Sequence, residues 1–205
     1  MRTKTLLLTA ALGALGIAAS AQTVYSVNVV GYVNKTIPKG FSIISNPLDS
    51  GANTVGNLFA SAPDGTTIFR FNGSTYTSQT ADGGWPQPNV VINPGEGFFI
   101  RNSSAAAFTT TFVGQIAAGT STNAISSGFS IKASIIPQAG KVTTDLKLPA
   151  GDGDTVYKFN NATASYSSAA YDGGWGAEPT VDVAEGFFYR ALAARTWTQT
   201  FVVGN

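Results

Sequence analysis

The 205-residue chain has no histidine and no cysteine. This removes Ser-His-Asp and Cys-His nucleophilic systems, the usual zinc ligand sets and all disulfides. Carboxylates, hydroxyls, amides and aromatic rings are left to do chemistry. Asp82 with Glu96, and Asp172 with Glu185, offer paired carboxylates, the groups a glycosidase places across a sugar bond as acid and as nucleophile or base. The competing reading is structural: Asp82 caps its own Asp-Gly-Gly turn, and Glu96 pairs with a cation or with turn amides. Trp85 and Trp175 follow the Asp-Gly-Gly turns, with Tyr76 and Tyr166 upstream. A flat indole or phenol beside Asp and Asn suits the apolar face and hydroxyls of a sugar. The same indole can instead fold back as a lid on a small core. The candidate ligand-binding residues are therefore Trp85, Trp175, Asp82, Asp172, Tyr76 and Tyr166. No catalytic residue, metal ligand or cofactor is assigned. Gly151-Asp152-Gly153-Asp154 resembles part of a calcium loop, but calcium needs about six to eight oxygens. A tight turn is the default there.

These residues recur because the chain repeats itself. Gly40-Phe41-Ser42-Ile43 returns as Gly128-Phe129-Ser130-Ile131, and Phe69-Arg70-Phe71-Asn72 as Tyr157-Lys158-Phe159-Asn160. Asp82-Gly83-Gly84-Trp85 matches Asp172-Gly173-Gly174-Trp175, and Glu96-Gly97-Phe98-Phe99 matches Glu185-Gly186-Phe187-Phe188. Arg101 matches Arg190, and Thr111-Phe112-Val113 matches Thr200-Phe201-Val202. The copies are placed at 22–114 and 115–205. A Val-Gly element stands at 30–31, 113–114 and 203–204, which suggests edge strands pairing between copies.

Each copy reads as short strands separated by turns. Thr67, Phe69 and Phe71 alternate with Ile68, Arg70 and Asn72, a period of two that argues strand, with the aromatic side expected to face the core. Further strands are expected at 41–45, 74–80, 90–92, 97–101 and 109–113. Asn72-Gly73 is a hairpin signal of the type I′ kind, and a short helix is expected over 54–60 with Asn53 as its N-cap. Phe98-Phe99 and Phe187-Phe188 are apolar on both faces, as in a central strand or one covered by the other copy. The expected fold is all-β: two tandem β-sandwich or barrel-like modules of about six strands each. The alternative is a single pseudo-twofold sandwich.

The residues Gly-Phe-Ser-Ile-Ile-Ser-Asn-Pro (40–47), Phe-Arg-Phe-Asn-Gly (69–73) with Tyr76, and Pro-Gly-Glu-Gly-Phe-Phe (94–99) resemble a β-repeat module of secreted and surface proteins of bacteria. The resemblance covers most of the chain after residue 21. Copy two departs from it where Pro94-Gly95 becomes Val183-Ala184. It implies an extracellular β-repeat and carries over no catalytic residue.

The N-terminus reads as a signal peptide over 1–21. Arg2 and Lys4 precede an apolar run from Leu6 to Ile17, and Ala19-Ser20-Ala21 fits the cleavage pattern. No later stretch has the length of a membrane span. Without Arg2 and Lys4, the 12 Lys+Arg become 10 against 11 Asp+Glu, which gives no electrostatic case for nucleic acid. The leading expectation is a secreted, non-enzymatic protein with a structural or adhesive role toward extracellular polysaccharide or surface proteins. The second is a carbohydrate-binding protein using the Asp-Gly-Gly-Trp turns, and the third a glycoside hydrolase.

Overall fold

Short alternating stretches rich in Thr, Val, Ile and Phe, cut by Gly, Asn and Pro, form strands because the branched and aromatic side chains pack on a pleated surface. The computed structural model describes residues 29–202. The expected signal peptide at 1–21 and the third Val-Gly element at 203–204 lie outside these residues. Within them the chain is all-β and antiparallel, and none of the sheets closes into a barrel.

Copy one contributes β1 (Val29–Ile37), β2 (Gly40–Ser45), β3 (Thr67–Phe71), β4 (Tyr76–Thr80), β5 (Gly97–Asn102) and β6 (Phe108–Ile116). Strands β2-β5-β3-β4 form a four-stranded sheet, and β1 pairs with β6 as a separate ribbon. Copy two contributes β7 (Gly119–Ile125), β8 (Gly128–Lys132), β9 (Gly140–Lys141), β10 (Thr155–Asn160), β11 (Ser165–Ala170), β12 (Thr180–Val181), β13 (Phe187–Ala191) and β14 (Arg195–Phe201). Its sheet runs β8-β13-β10-β11, its ribbon is β7-β14, and β9-β12 is a minor pair.

Every ladder joins strands of the same copy. The first two Val-Gly elements pair with each other at the edges of copy one: Gly31 faces Gly114 and Tyr32 faces Val113. A Cβ on Gly114 would lie 2.5 Å from the carbonyl of Asp49, so glycine lets the 46–53 loop close on β6.

Local details also differ from expectation. The helix is a single turn, α1 (Val55–Leu58), and its N-cap is Thr54. Asn53 instead accepts from Ser50 N–H at 2.9 Å and donates to Asp49 Oδ1 at 2.8 Å, tying the loop before the helix. The β3–β4 connection spans 72–75, because the Asn72 carboxamide accepts from the amides of Ser74 and Thr75 and widens the turn beyond two residues. Residues 90–92 form no strand; Val91 makes only an isolated bridge with Thr54.

Each four-stranded sheet is covered on both faces. Ile68, Phe98 and Ile100 point toward the ribbon side, into copy one's own core with Ile37, Phe59 and Phe112. Fully burying a side chain such as Phe98 contributes about 1.5–3 kcal/mol. Val156, Phe187, Tyr189 and Trp197 do the same in copy two. The opposite faces meet each other through Ile43, Phe99, Ile131 and Phe188, with Phe69, Phe71, Tyr157 and Phe159 packed alongside. The aromatic side of β3 therefore faces the other copy, and Ile68 is the residue that enters its own core.

The contact between copies is reciprocal. Ser45 N–H donates to Ala184 O at 3.2 Å, and the equivalent Ala133 N–H donates to Gly95 O at 3.1 Å. Ile44 bridges Glu185, and Lys132 bridges Glu96. A Cβ on Gly97 would lie 2.5 Å from Ile131 Cγ2, and one on Gly186 would lie 2.7 Å from Ile43 Cγ2. The glycine of each Glu-Gly-Phe-Phe run is the place where one copy's backbone approaches the other.

Candidate functional site

The two tryptophans fold back onto the cores of their own copies. Trp85 is half-buried on copy one's core, edge-on to Phe59, and its indole N–H donates to Phe59 O at 3.0 Å. Trp175 lies on copy two's core and donates to Thr143 Oγ1 at 2.8 Å. A third, Trp197, is fully buried and donates to Leu146 O. Satisfied indole N–H groups over apolar neighbours are what lids on small cores require.

Asp82 and Asp172 are exposed, and neither side chain caps its turn. That task falls to Asp64 and Asp152, whose carboxylates accept from Gly83 N–H at 2.9 Å and Gly173 N–H at 2.7 Å. Their position one hairpin earlier hid this role from a local reading. The carboxylates of the Glu-Gly-Phe-Phe runs are engaged as well. Glu96 pairs with Arg70 at 2.6 Å, and Glu185 pairs with Lys158 at 3.2 Å. The calcium-like run holds Asp154, whose oxygens accept from Tyr189, Leu192, Gly151 and Arg195. Among the described residues no three acidic side chains gather as a metal site.

Tyr76 and Tyr166 are placed differently. Strand β4 separates Tyr76 from the turn carrying Trp85; its four steps from Tyr76 to Thr80 alone span about 13 Å. Tyr76 packs on Phe71 (5.0 Å between ring centroids) and Phe99 (6.2 Å). Tyr166 packs on Phe159 (5.2 Å) and Phe188 (6.1 Å). Across the seam, Phe71 meets Phe188 and Phe159 meets Phe99, both at 5.6 Å. The two pairs across the seam are edge-to-face, the arrangement ring quadrupoles favour.

The seam is not closed over. Phe41, Tyr76, Phe129 and Tyr166 keep 40%, 47%, 45% and 48% of their surfaces exposed, so both copies show the same two rings to solvent. Two shallow grooves result. One, of about 370 Å³, is lined by Phe41, Phe69, Tyr76, Phe99, Phe159 and Tyr166. The other, of about 250 Å³, is lined by Phe129, Tyr157, Tyr166, Phe188 and Tyr76. Each groove thus draws walls from both copies. Burial raises the pKa of Tyr76; burial and the neighbouring Tyr76 together raise that of Tyr166 to about 12. Both phenols stay neutral near pH 7 and can donate as well as accept hydrogen bonds.

No protein-family model, curated protein or solved structure matches the chain. By strand alternation, the polar positions on the groove face of copy one are Thr67, Ser78, Thr80 and Arg101. Thr67 Oγ1 and Thr80 Oγ1 lie 2.9 Å apart, and the Arg101 guanidinium carbon sits 5.9 Å from the Phe41 ring centroid. Aromatic faces beside hydroxyls and a guanidinium can stack and hydrogen-bond; no nucleophile–base pair is present on this face.

A separate cleft of about 460 Å³ flanks β11 on the other face, lined by Lys158, Ser167 to Ala170 and Gly176 to Pro179. Its counterpart beside β4 is about 140 Å³, and there Gln79 bonds both N–H and C=O of Gln87. Ala169 occupies the equivalent of Gln79 and leaves the copy-two cleft open.

Of the six residues singled out from sequence, the structure brings Tyr76 and Tyr166 together and disperses the other four. Phe41 and Phe129 were missed as exposed residues, and Phe69, Phe99 and Phe159 as groove walls beneath them. The signal was present in the strand apolar on both faces and in the aromatic alternation repeated in both copies.

Proposed function

We propose that this chain is an exported, non-enzymatic β-repeat protein that adheres to carbohydrate through the aromatic seam between its two copies. The observation that carries this reading is the duplicated exposure of Phe41, Tyr76, Phe129 and Tyr166 around two grooves. Isolated apolar surface residues are ordinary, but equivalent rings gathered on one face are the kind of patch that marks an interaction site. Sugar rings suit it because the patch is flat, aromatic and bordered by hydroxyls. Two grooves on one polymer strand also raise effective concentration.

The test is a polysaccharide pull-down across a panel of polymers. Tyr76→Ala and Tyr166→Ala each damage both grooves, since each ring lines both, and binding is expected to fall at least about tenfold with the fold retained. Trp85→Ala is expected to lower stability by up to about 3 kcal/mol, with folded molecules still binding. Undiminished binding by a Tyr76→Ala/Tyr166→Ala double variant overturns the proposal. So does glycan hydrolysis that disappears in Glu96→Gln.

A purely structural role is the second reading. It is favoured by the ring stacking itself: Tyr76 on Phe71 and Tyr166 on Phe159 serve as lids on the contact between copies. It predicts that the same two variants lose stability and that no polymer is retained.

A further inference from the structure

We infer that the polymer these grooves take is acidic, a polysaccharide carrying carboxylate or sulfate groups. The inference rests on the carbohydrate reading above and specifies its ligand class. Among the described residues, three arginine and lysine side chains are neutralised by ion pairs: Arg70 by Glu96, Lys158 by Glu185 and Arg195 by Asp154. Arg101 and Arg190 are exposed equivalents in the two copies, and among the described residues neither has a carboxylate within ion-pair distance.

The sheet registers place them at the grooves. Arg101 lies opposite Phe41, and Arg190 lies opposite Phe129, so each arginine is the ladder partner of the exposed phenylalanine of its own groove. Arg101 already rests near the Phe41 face, a stacking that leaves its N–H edge free. A planar fork of donors matches the two oxygens of a carboxylate or sulfate. Glu96 and Glu185, on the turns that lead into the strands carrying these arginines, are held by Arg70 and Lys158. Each groove therefore combines a ring for a sugar face with a cation for an anionic substituent. The chain's near-balanced charge outside the signal peptide means this preference is local rather than a general attraction for polyanions.

The experiment compares retention of the full chain on a polyuronate, a sulfated galactan and an uncharged β-glucan, with a polyglutamate peptide as a fourth probe. The acidic polysaccharides are expected to bind more tightly than the β-glucan, and less tightly as salt rises. Arg101→Gln/Arg190→Gln is expected to lose about tenfold or more on the acidic polymers while its thermal midpoint stays unchanged. Arg101→Lys/Arg190→Lys, which keeps charge but not the fork, is expected to fall between. Equal retention of acidic and uncharged polymers, untouched by the Gln variant, overturns this inference and leaves the carbohydrate reading standing. Retention of polyglutamate with none of the three polysaccharides overturns both.

Discussion

Asp154 has no exposed surface, and both its carboxylate oxygens accept hydrogen bonds. Burial alone would raise its pKa, but the Tyr189 hydroxyl at 2.6 Å, the amides of Leu192 and Gly151, and Arg195 outweigh that and hold it below the ordinary 3.8. A carboxyl depressed in the folded state stabilises the fold above its unfolded pKa, and that stability is lost as pH falls through the folded value. The same cluster sets an alkaline limit. Burial first, then the bond to Asp154 and its charge, raise Tyr189 above 10. Stability held by that neutral phenol persists below pH about 10 and is lost as pH rises past it. Urea midpoints measured across pH should therefore drop below about 3.8 and above about 10, and Asp154→Asn should flatten the acid limb. Asp154→Ala, which strands Arg195 and Tyr189, should cost about 3 kcal/mol. In copy one Thr66 stands at the place of Asp154, and its buried hydroxyl has no partner. Sequence revealed the two aspartates of this run and suggested a turn. The partners Tyr189 and Arg195 lie more than thirty residues away, beyond what a local pattern can convey.

The strand that decides the architecture is β5, with its equivalent β13. Phe98 enters the module's own core while Phe99 meets the other copy, which is why the paired phenylalanines read correctly as a strand covered on both faces. What stayed hidden was the reason for the glycine before them. Gly97 does not need a positive φ; it is required because Ile131 Cγ2 and Lys132 O would lie 2.5 and 3.1 Å from a Cβ. Gly97→Ala should therefore destabilise the protein by about 1–3 kcal/mol, as overpacking does. Ile131→Ala removes that Cγ2, so the double variant should lose less than the sum of the two single losses, a coupling readable in a double-mutant cycle by chemical denaturation. The alternation of β3 was also legible, but its polarity was not. Period two names two faces and leaves open which is inside when a second sheet waits on the far side. The tryptophans misled for a related reason: Tyr76 and Trp85 are near in sequence, and the intervening strand carries them to separate places.

At the scale of the molecule, the two copies share one aromatic layer instead of a linker. Ile43, Phe99, Ile131 and Phe188 are each at most 9% exposed, and they belong to neither copy's own core cluster. Thermal or urea unfolding should accordingly follow a single transition in the native chain. Phe99→Ala, which removes a ring touching Phe41, Tyr76, Phe159 and Phe188, should cost about 3 kcal/mol or more and separate the transition into two, seen as non-coincident probes. All-β class and duplication could be read from the residues. The face-to-face meeting of the copies could not, because it depends on which side of each strand the other copy occupies. The reciprocal contact has one more consequence. A patch that mates with its own duplicate is the self-complementary surface of an isologous dimer, here held inside a single polypeptide by the step from β6 to β7 at Ala117-Ala118. Cutting the chain there severs no ladder, so what the covalent link supplies is partner concentration.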